Sequence, residues 1–307
     1  MWRRLGVLIS VLVVAAGCAR SSADPADTVS GAVEIGGGRA LFLDCQGSGS
    51  PTVFVIPGLG SYAEVWNYVI PRDDPIWSSP YDIIDEAAPT PSPEATQPTV
   101  ARTTRVCAYD RPGTRPDGEQ RSTPIPQPHS VQQDVDDAVA VIAAADLTGP
   151  FVFVAHSYGA LILDLLARQH PDLVAGLVFV EPTSEFLPAI GAPSQNAAFF
   201  ASGRDGKGPA VEGVWFEDAF ARVASAPPLP RVPAAVLSGD RFPPPDQLTP
   251  DTYTQAQIHR ANDLLAAELG ATNAVVGGSG HNMMLYQPTV AAETIIGVVE
   301  QVRASGR

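Results

Sequence analysis

The run Ala155-His156-Ser157-Tyr158-Gly159 sets a serine between two small residues, directly after the apolar stretch Phe151-Val152-Phe153-Val154 and before a helical pattern. A serine hydroxyl is a weak nucleophile, so chemistry at it needs exposure on a sharp strand-to-helix turn and a base within reach. Residues two before and two after the serine must be small, because strand and helix backbones pass close together there. Gly159 satisfies this, and Ala155 carries one methyl more than the glycine of the G-x-S-x-G pattern. The candidate base is His281, which ends the run Gly278-Ser279-Gly280-His281 near the C-terminus. The other histidines, His129, His156, His170 and His259, lack that setting and receive no catalytic role.

A serine attacking a carbonyl generates negative charge on oxygen, which calls for converging backbone N–H groups. The apolar run at 52–56 leads into Pro57-Gly58-Leu59-Gly60, a glycine-rich turn suited to that task. The amides of Leu59 and Tyr158 are the two expected donors. Together these residues point to acyl transfer from an ester-type substrate to water through a covalent intermediate on Ser157.

Elements able to position such a site are legible along the chain. Short apolar runs of strand type fall at 32–35, 40–45, 52–56, 105–109, 151–156, 177–181, 234–238 and 273–276. Amphipathic helical patterns occupy 131–145, 158–169, 252–269 and 289–302. Their alternation predicts an α/β fold with a largely parallel eight-stranded sheet flanked by helices on both faces. Residues 71–103, rich in Pro, Ser, Thr and Asp, read as an inserted loop, and 183–230, with its aromatic helical patches, as a small lid after the sixth strand.

With 307 residues, 45% hydrophobic and 17% charged, the chain can bury the core of one large domain, expected over residues 31–307. A formal net charge of −14 argues against nucleic acid and against electrostatic docking on anionic lipid. No clustered ligand set suggests a metal, and no cofactor is expected. At the N-terminus, Arg3 and Arg4 precede an apolar stretch at 5–16, too short for a spanning helix of about 20 residues. Residues 1–17 read as a signal peptide and 18–30 as a tether. The run Ala15-Ala16-Gly17-Cys18 resembles a bacterial lipobox, so Cys18 is the expected lipid carrier and the only expected membrane contact. Cleavage nearby, after Ala19, would give a freely secreted protein instead. Either way the domain lies outside the cytoplasm. Setting Cys18 aside leaves Cys45 and Cys107, enough for one disulfide.

Ile56-Pro57-Gly58-Leu59-Gly60, Tyr109-Asp110-Arg111-Pro112-Gly113, Ala155-His156-Ser157-Tyr158-Gly159 and Gly280-His281 occur in the order found in the α/β-hydrolase family, which the chain resembles from about residue 32 onward. The resemblance implies that family's sheet, in which the strands carrying Cys45 and Cys107 are neighbours, so that a disulfide between them is geometrically reasonable. After Gly113 the usual glycine and serine are replaced by Thr114-Arg115-Pro116, which alters the rim of the implied site.

The resemblance also frames the choice of the acid that orients His281. One family location is the end of the sixth strand, where Val180-Glu181-Pro182 supplies Glu181; the other follows the seventh strand, where Asp240 lies two residues early. Glu181 is preferred, because a longer side chain at an intact site is a smaller change than a shifted loop; Asp246 is a third choice. The same fold hosts thioesterases, peptidases and perhydrolases, and a non-catalytic binding lipoprotein is the alternative outside enzymes.

Overall fold

The computed structural model describes residues 29–78, 87–115, 119–205, 212–243, 246 and 248–306. The leader, Cys18 and all but the end of the tether lie outside the described residues, as do 79–86 of the expected insertion and 206–211 of the expected lid.

The described elements run in the order β1 (Val29–Gly36), β2 (Arg39–Gln46), β3 (Val53–Ile56), β4 (Tyr68–Val69), β5 (Thr90–Pro91), α1 (Thr96–Ala101), β6 (Val106–Asp110), α2 (Val131–Ala144), β7 (Phe151–Ser157), α3 (Gly159–Gln169), β8 (Val174–Pro182), α4 (Leu187–Ile190), α5 (Pro193–Arg204), α6 (Phe216–Ser225), β9 (Ala234–Gly239), α7 (Gln255–Leu269), β10 (Asn273–Val276), α8 (Met283–Tyr286) and α9 (Pro288–Ser305). Eight of the strands form one sheet in the order β1-β2-β6-β3-β7-β8-β9-β10. From β6 to β10 every pairing is parallel, while β2 runs antiparallel to both its neighbours. This is the α/β architecture that the alternation of apolar runs predicts.

Burial explains the sequence pattern. β3, β6, β7 and β8 are covered on both faces, so they read as unbroken apolar runs. On one face Phe54, Phe153 and Phe179 pack with α2, α3 and α7, and on the other Val53, Val152 and Val178 pack with α9. Each such side chain contributes roughly 1.5–3 kcal/mol on burial. At the edge, β1 alternates exposed and half-buried positions. The helices carry their own end signals: Ser130 accepts the N–H of Gln133 at the start of α2, and α7 begins with a Thr254/Gln257 capping box and stops at left-handed Gly270.

The stretch 71–103 differs from the expected inserted loop. Its second half pairs β5 with β4 and then forms α1, which packs on α9. The reason is topological: β3 and β6 are adjacent and parallel, so the chain between them must cross over one face of the sheet. Pro98 stands in the first turn of α1, where its missing N–H costs nothing.

Cys45 of β2 lies directly opposite Cys107 of β6, and the two are joined by a disulfide that closes a separation of 62 residues.

Candidate active site

At the end of β7 the chain turns sharply into α3, and Ser157 sits on the turn with φ 53°. A left-handed conformation at a residue with a side chain is strained and persists only where the surroundings enforce it. They do so by close approach. A Cβ on Gly159 would lie 2.4 Å from the carbonyl oxygen of Ile56, and one on Gly58 would lie 3.0 Å from Cβ of Ser157. The turn after β3 is therefore pressed against the serine, and Ala155, fully buried on β7, is accommodated with its extra methyl.

His281 reaches the same point from the loop between β10 and α8. Its Nε2 accepts from the Ser157 hydroxyl at 2.9 Å. On the far side of the ring, Nδ1 faces Oε2 of Glu181 at 3.4 Å, at the long end for a hydrogen bond. Glu181, next to last in β8, has φ 46°, a second left-handed residue, and its Oε1 accepts the N–H of Gly239. The carboxylate is thus anchored on one oxygen and presents the other to the imidazole.

Asp240 is placed elsewhere. Its Oδ1 accepts the N–H of Ser279 at 3.0 Å, so it braces the loop that carries His281 instead of meeting the ring. Asp246 is exposed. Leu59 lies in the turn Gly58–Ser61, closed by a hydrogen bond from Ser61 N–H to the Gly58 carbonyl at 3.1 Å, and Tyr158 opens α3 beside Ser157. The departure after Gly113 is filled by Thr114, whose buried hydroxyl donates to the Arg111 carbonyl, and by Arg115, which pairs with Glu64 at 2.9 Å and stacks over Tyr62.

One residue without an assigned role in the sequence enters the site. His156 turns inward from β7, and its Nε2–H donates to the main-chain carbonyl of His281 at 2.8 Å. Burial, and then the neighbouring His281 ring, push its pKa down to about 3, so it is a neutral donor. No local signal marks it, since the partner is 125 residues away.

Ser157, His281 and Glu181 open on a cavity of about 710 Å³, roofed by Leu187, Phe199 and Phe216 of the 183–230 segment. A mostly apolar cavity with a few converging polar groups is the ordinary form of a small-molecule site. Among the described residues no group of three His, Cys, Asp or Glu side chains is arranged to hold a metal ion.

A family model described as "Alpha/beta hydrolase family" matches residues 53–294. An uncharacterized Schizosaccharomyces pombe protein, C23C11.06c, is 38% identical over 29% of the chain, and the uncharacterized Bacillus subtilis protein YqjL is 31% identical over 45% of it. The chain spans only 16% and 42% of the lengths of these two relatives. Among solved structures, a thermophilic esterase from Thermogutta terrifontis superposes with a TM-score of 0.54 at 17% identity, covering 90% of this chain and 98% of the esterase. At that identity the likeness speaks for the fold.

Proposed function

The chain belongs to the alpha/beta hydrolase family, and from that premise we propose that it is a serine hydrolase that cleaves ester-type acyl substrates through an acyl-enzyme. The observation that carries this reading is the 2.9 Å contact between Ser157 Oγ and His281 Nε2 at the mouth of an apolar cavity. In the reaction, Ser157 Oγ attacks the carbonyl carbon while His281 Nε2 takes the hydroxyl proton, and the amides of Leu59 and Tyr158 hold the developing oxyanion. The alkoxide departs with the proton from His281. Water, giving a proton to His281, then attacks the acyl carbon; the bond to Ser157 Oγ breaks, His281 returns the proton to that oxygen, and the acid leaves. Glu181 holds Nδ1–H and stabilises the imidazolium formed in both halves.

The test is a panel of p-nitrophenyl esters of increasing acyl length, run on the wild type and on Ser157→Ala. Turnover that vanishes in the variant supports the reading; equal turnover in both defeats it. We further propose that the chain is exported and lipidated at Cys18, a reading supported by the lipobox-like run and by the Cys45–Cys107 disulfide, which suits an oxidising compartment. An N-terminal peptide without lipid mass on Cys18 would remove the lipid but not the export.

A further inference from the structure

Behind the turn that carries Leu59, two charges are shut away from solvent. Arg111 and Glu212 have side chains that are 0% exposed, and they meet with Nε and Oε1 2.7 Å apart. Burying an ion pair is costly unless the remaining donors and acceptors find partners. Here they find the main chain of the turn. Arg111 donates from Nη1 to the Pro57 carbonyl at 2.7 Å and from Nη2 to the Gly58 carbonyl at 2.5 Å, while Gly60 N–H donates to Glu212 Oε2 at 2.6 Å. Leu59 is therefore gripped from both sides.

The geometry of the peptide bond makes this grip consequential. The Gly58 carbonyl and the Leu59 N–H belong to one trans peptide, in which C=O and N–H point in opposite directions. Drawing the carbonyl toward Arg111 turns the Leu59 N–H away from the ion pair. Gly58 itself lies against His156 and Ser157, where an added Cβ would stand 2.8 Å from His156 Nδ1 and 3.0 Å from Ser157 Cβ.

The same buried group reaches the second oxyanion donor. The Tyr158 hydroxyl donates to Asp134 Oδ2 at 2.5 Å, His129 Nε2 meets that carboxylate at 2.9 Å, and His129 Nε2 lies 3.9 Å from Glu212 Oε1. The Arg111 guanidinium stands 5.5 Å over the Tyr158 ring. Glu212 is fixed in place by its neighbour, with His129 N–H donating to the Gly213 carbonyl and Gly213 N–H donating to Gln127 Oε1.

We propose that Arg111 and Glu212 are positioning residues for the oxyanion site, orienting the Gly58–Leu59 peptide toward Ser157. This rests on the serine-hydrolase reading. Neither residue lines the cavity, and both act through the amide that meets the oxyanion, so their loss weakens transition-state binding more than ground-state binding.

The experiment measures kcat and KM on a p-nitrophenyl ester, and Ki for an alkyl trifluoromethyl ketone, whose adduct with Ser157 carries an oxyanion. The variants are Glu212→Gln and the double Arg111→Met/Glu212→Gln, which leaves no unpaired buried charge if the single variant fails to fold. Arg39→Met, which breaks the Arg39–Asp137 pair, neither member of which lines the cavity, controls for loss of stability and for a changed field at Asp134. The expected result is kcat lowered about 10- to 100-fold with KM within about twofold, and Ki raised in proportion to the loss in kcat/KM. Arg39→Met lowers Tm without these changes. Folded variants with wild-type kcat, or with changes matching those of Arg39→Met, overturn the proposal while leaving the hydrolase reading intact. A wild type that hydrolyses no ester and binds no ketone overturns both.

Discussion

His156, the residue immediately before Ser157, donates from its imidazole to the main-chain carbonyl of His281 at 2.8 Å, and the two rings lie 4.8 Å apart. The strand that presents Ser157 thus also holds the loop that presents His281. His281 is about half exposed, so little else packs around its ring.

Replacing His156 with phenylalanine keeps a ring but removes the donor to the His281 carbonyl. We expect kcat to fall roughly tenfold while the pH profile keeps its shape, because His156 is neutral throughout the working range. Stability has its own signature. A histidine with a depressed folded pKa contributes stability that is complete above its unfolded value near pH 6.5 and is lost as pH falls toward about 3. His156→Phe should flatten that acid loss in Tm. An unchanged acid slope together with wild-type kcat would contradict the assignment.

The placement of Glu181 against Asp240 separates two variants. Glu181→Gln is expected to lower kcat roughly 10²- to 10⁴-fold, because the amide no longer fixes the imidazole tautomer or stabilises its charged form. Asp240→Asn loses only a brace on Ser279 and should cost far less. A larger loss in Asp240→Asn, measured by steady-state kinetics on one ester, would reverse the assignment.

A second buried cluster predicts the alkaline side of stability. Arg168 faces Asp164 at 2.6 Å, Glu185 at 2.5 Å and Glu268 at 3.0 Å, three carboxylates around one guanidinium. Burial, and then the Asp164 charge, push Glu185 up to about 8. A carboxyl whose folded pKa lies above its unfolded value stabilises the fold fully at low pH, and that contribution is lost as pH rises through about 8. Wild-type Tm should therefore decline between about pH 5 and pH 8, and Glu185→Gln should flatten the decline and raise Tm at pH 8 by a few degrees. Equal slopes in both proteins would refute this.

How far sequence reading reaches depends on where the signal resides. The parallel strands β3, β6, β7 and β8 were legible because burial on both faces forces uninterrupted apolar runs. Ser157 was legible because the turn excludes side chains at Gly159, a local constraint written into the local sequence. Helix α1 was hidden, since Thr96-Gln97-Pro98-Thr99 has weak helical preference and only the crossover demands a helix there. Both Glu181 and Asp240 stood at strand ends, and what separates them is that Asp240 meets the Ser279 amide, a tertiary fact. Arg111 and Glu212, 101 residues apart, pair across the top of the sheet, and no spacing rule foretells such a contact.

The central claim is that Ser157 is a nucleophile activated by His281, and fluorophosphonate labelling followed by intact mass and peptide mapping tests it most directly. The expected result is a single adduct on the peptide carrying Ser157, formed roughly 10²-fold more slowly or worse in His281→Ala and absent in Ser157→Ala. A folded wild type that takes no label, or a label that persists in Ser157→Ala, would contradict it.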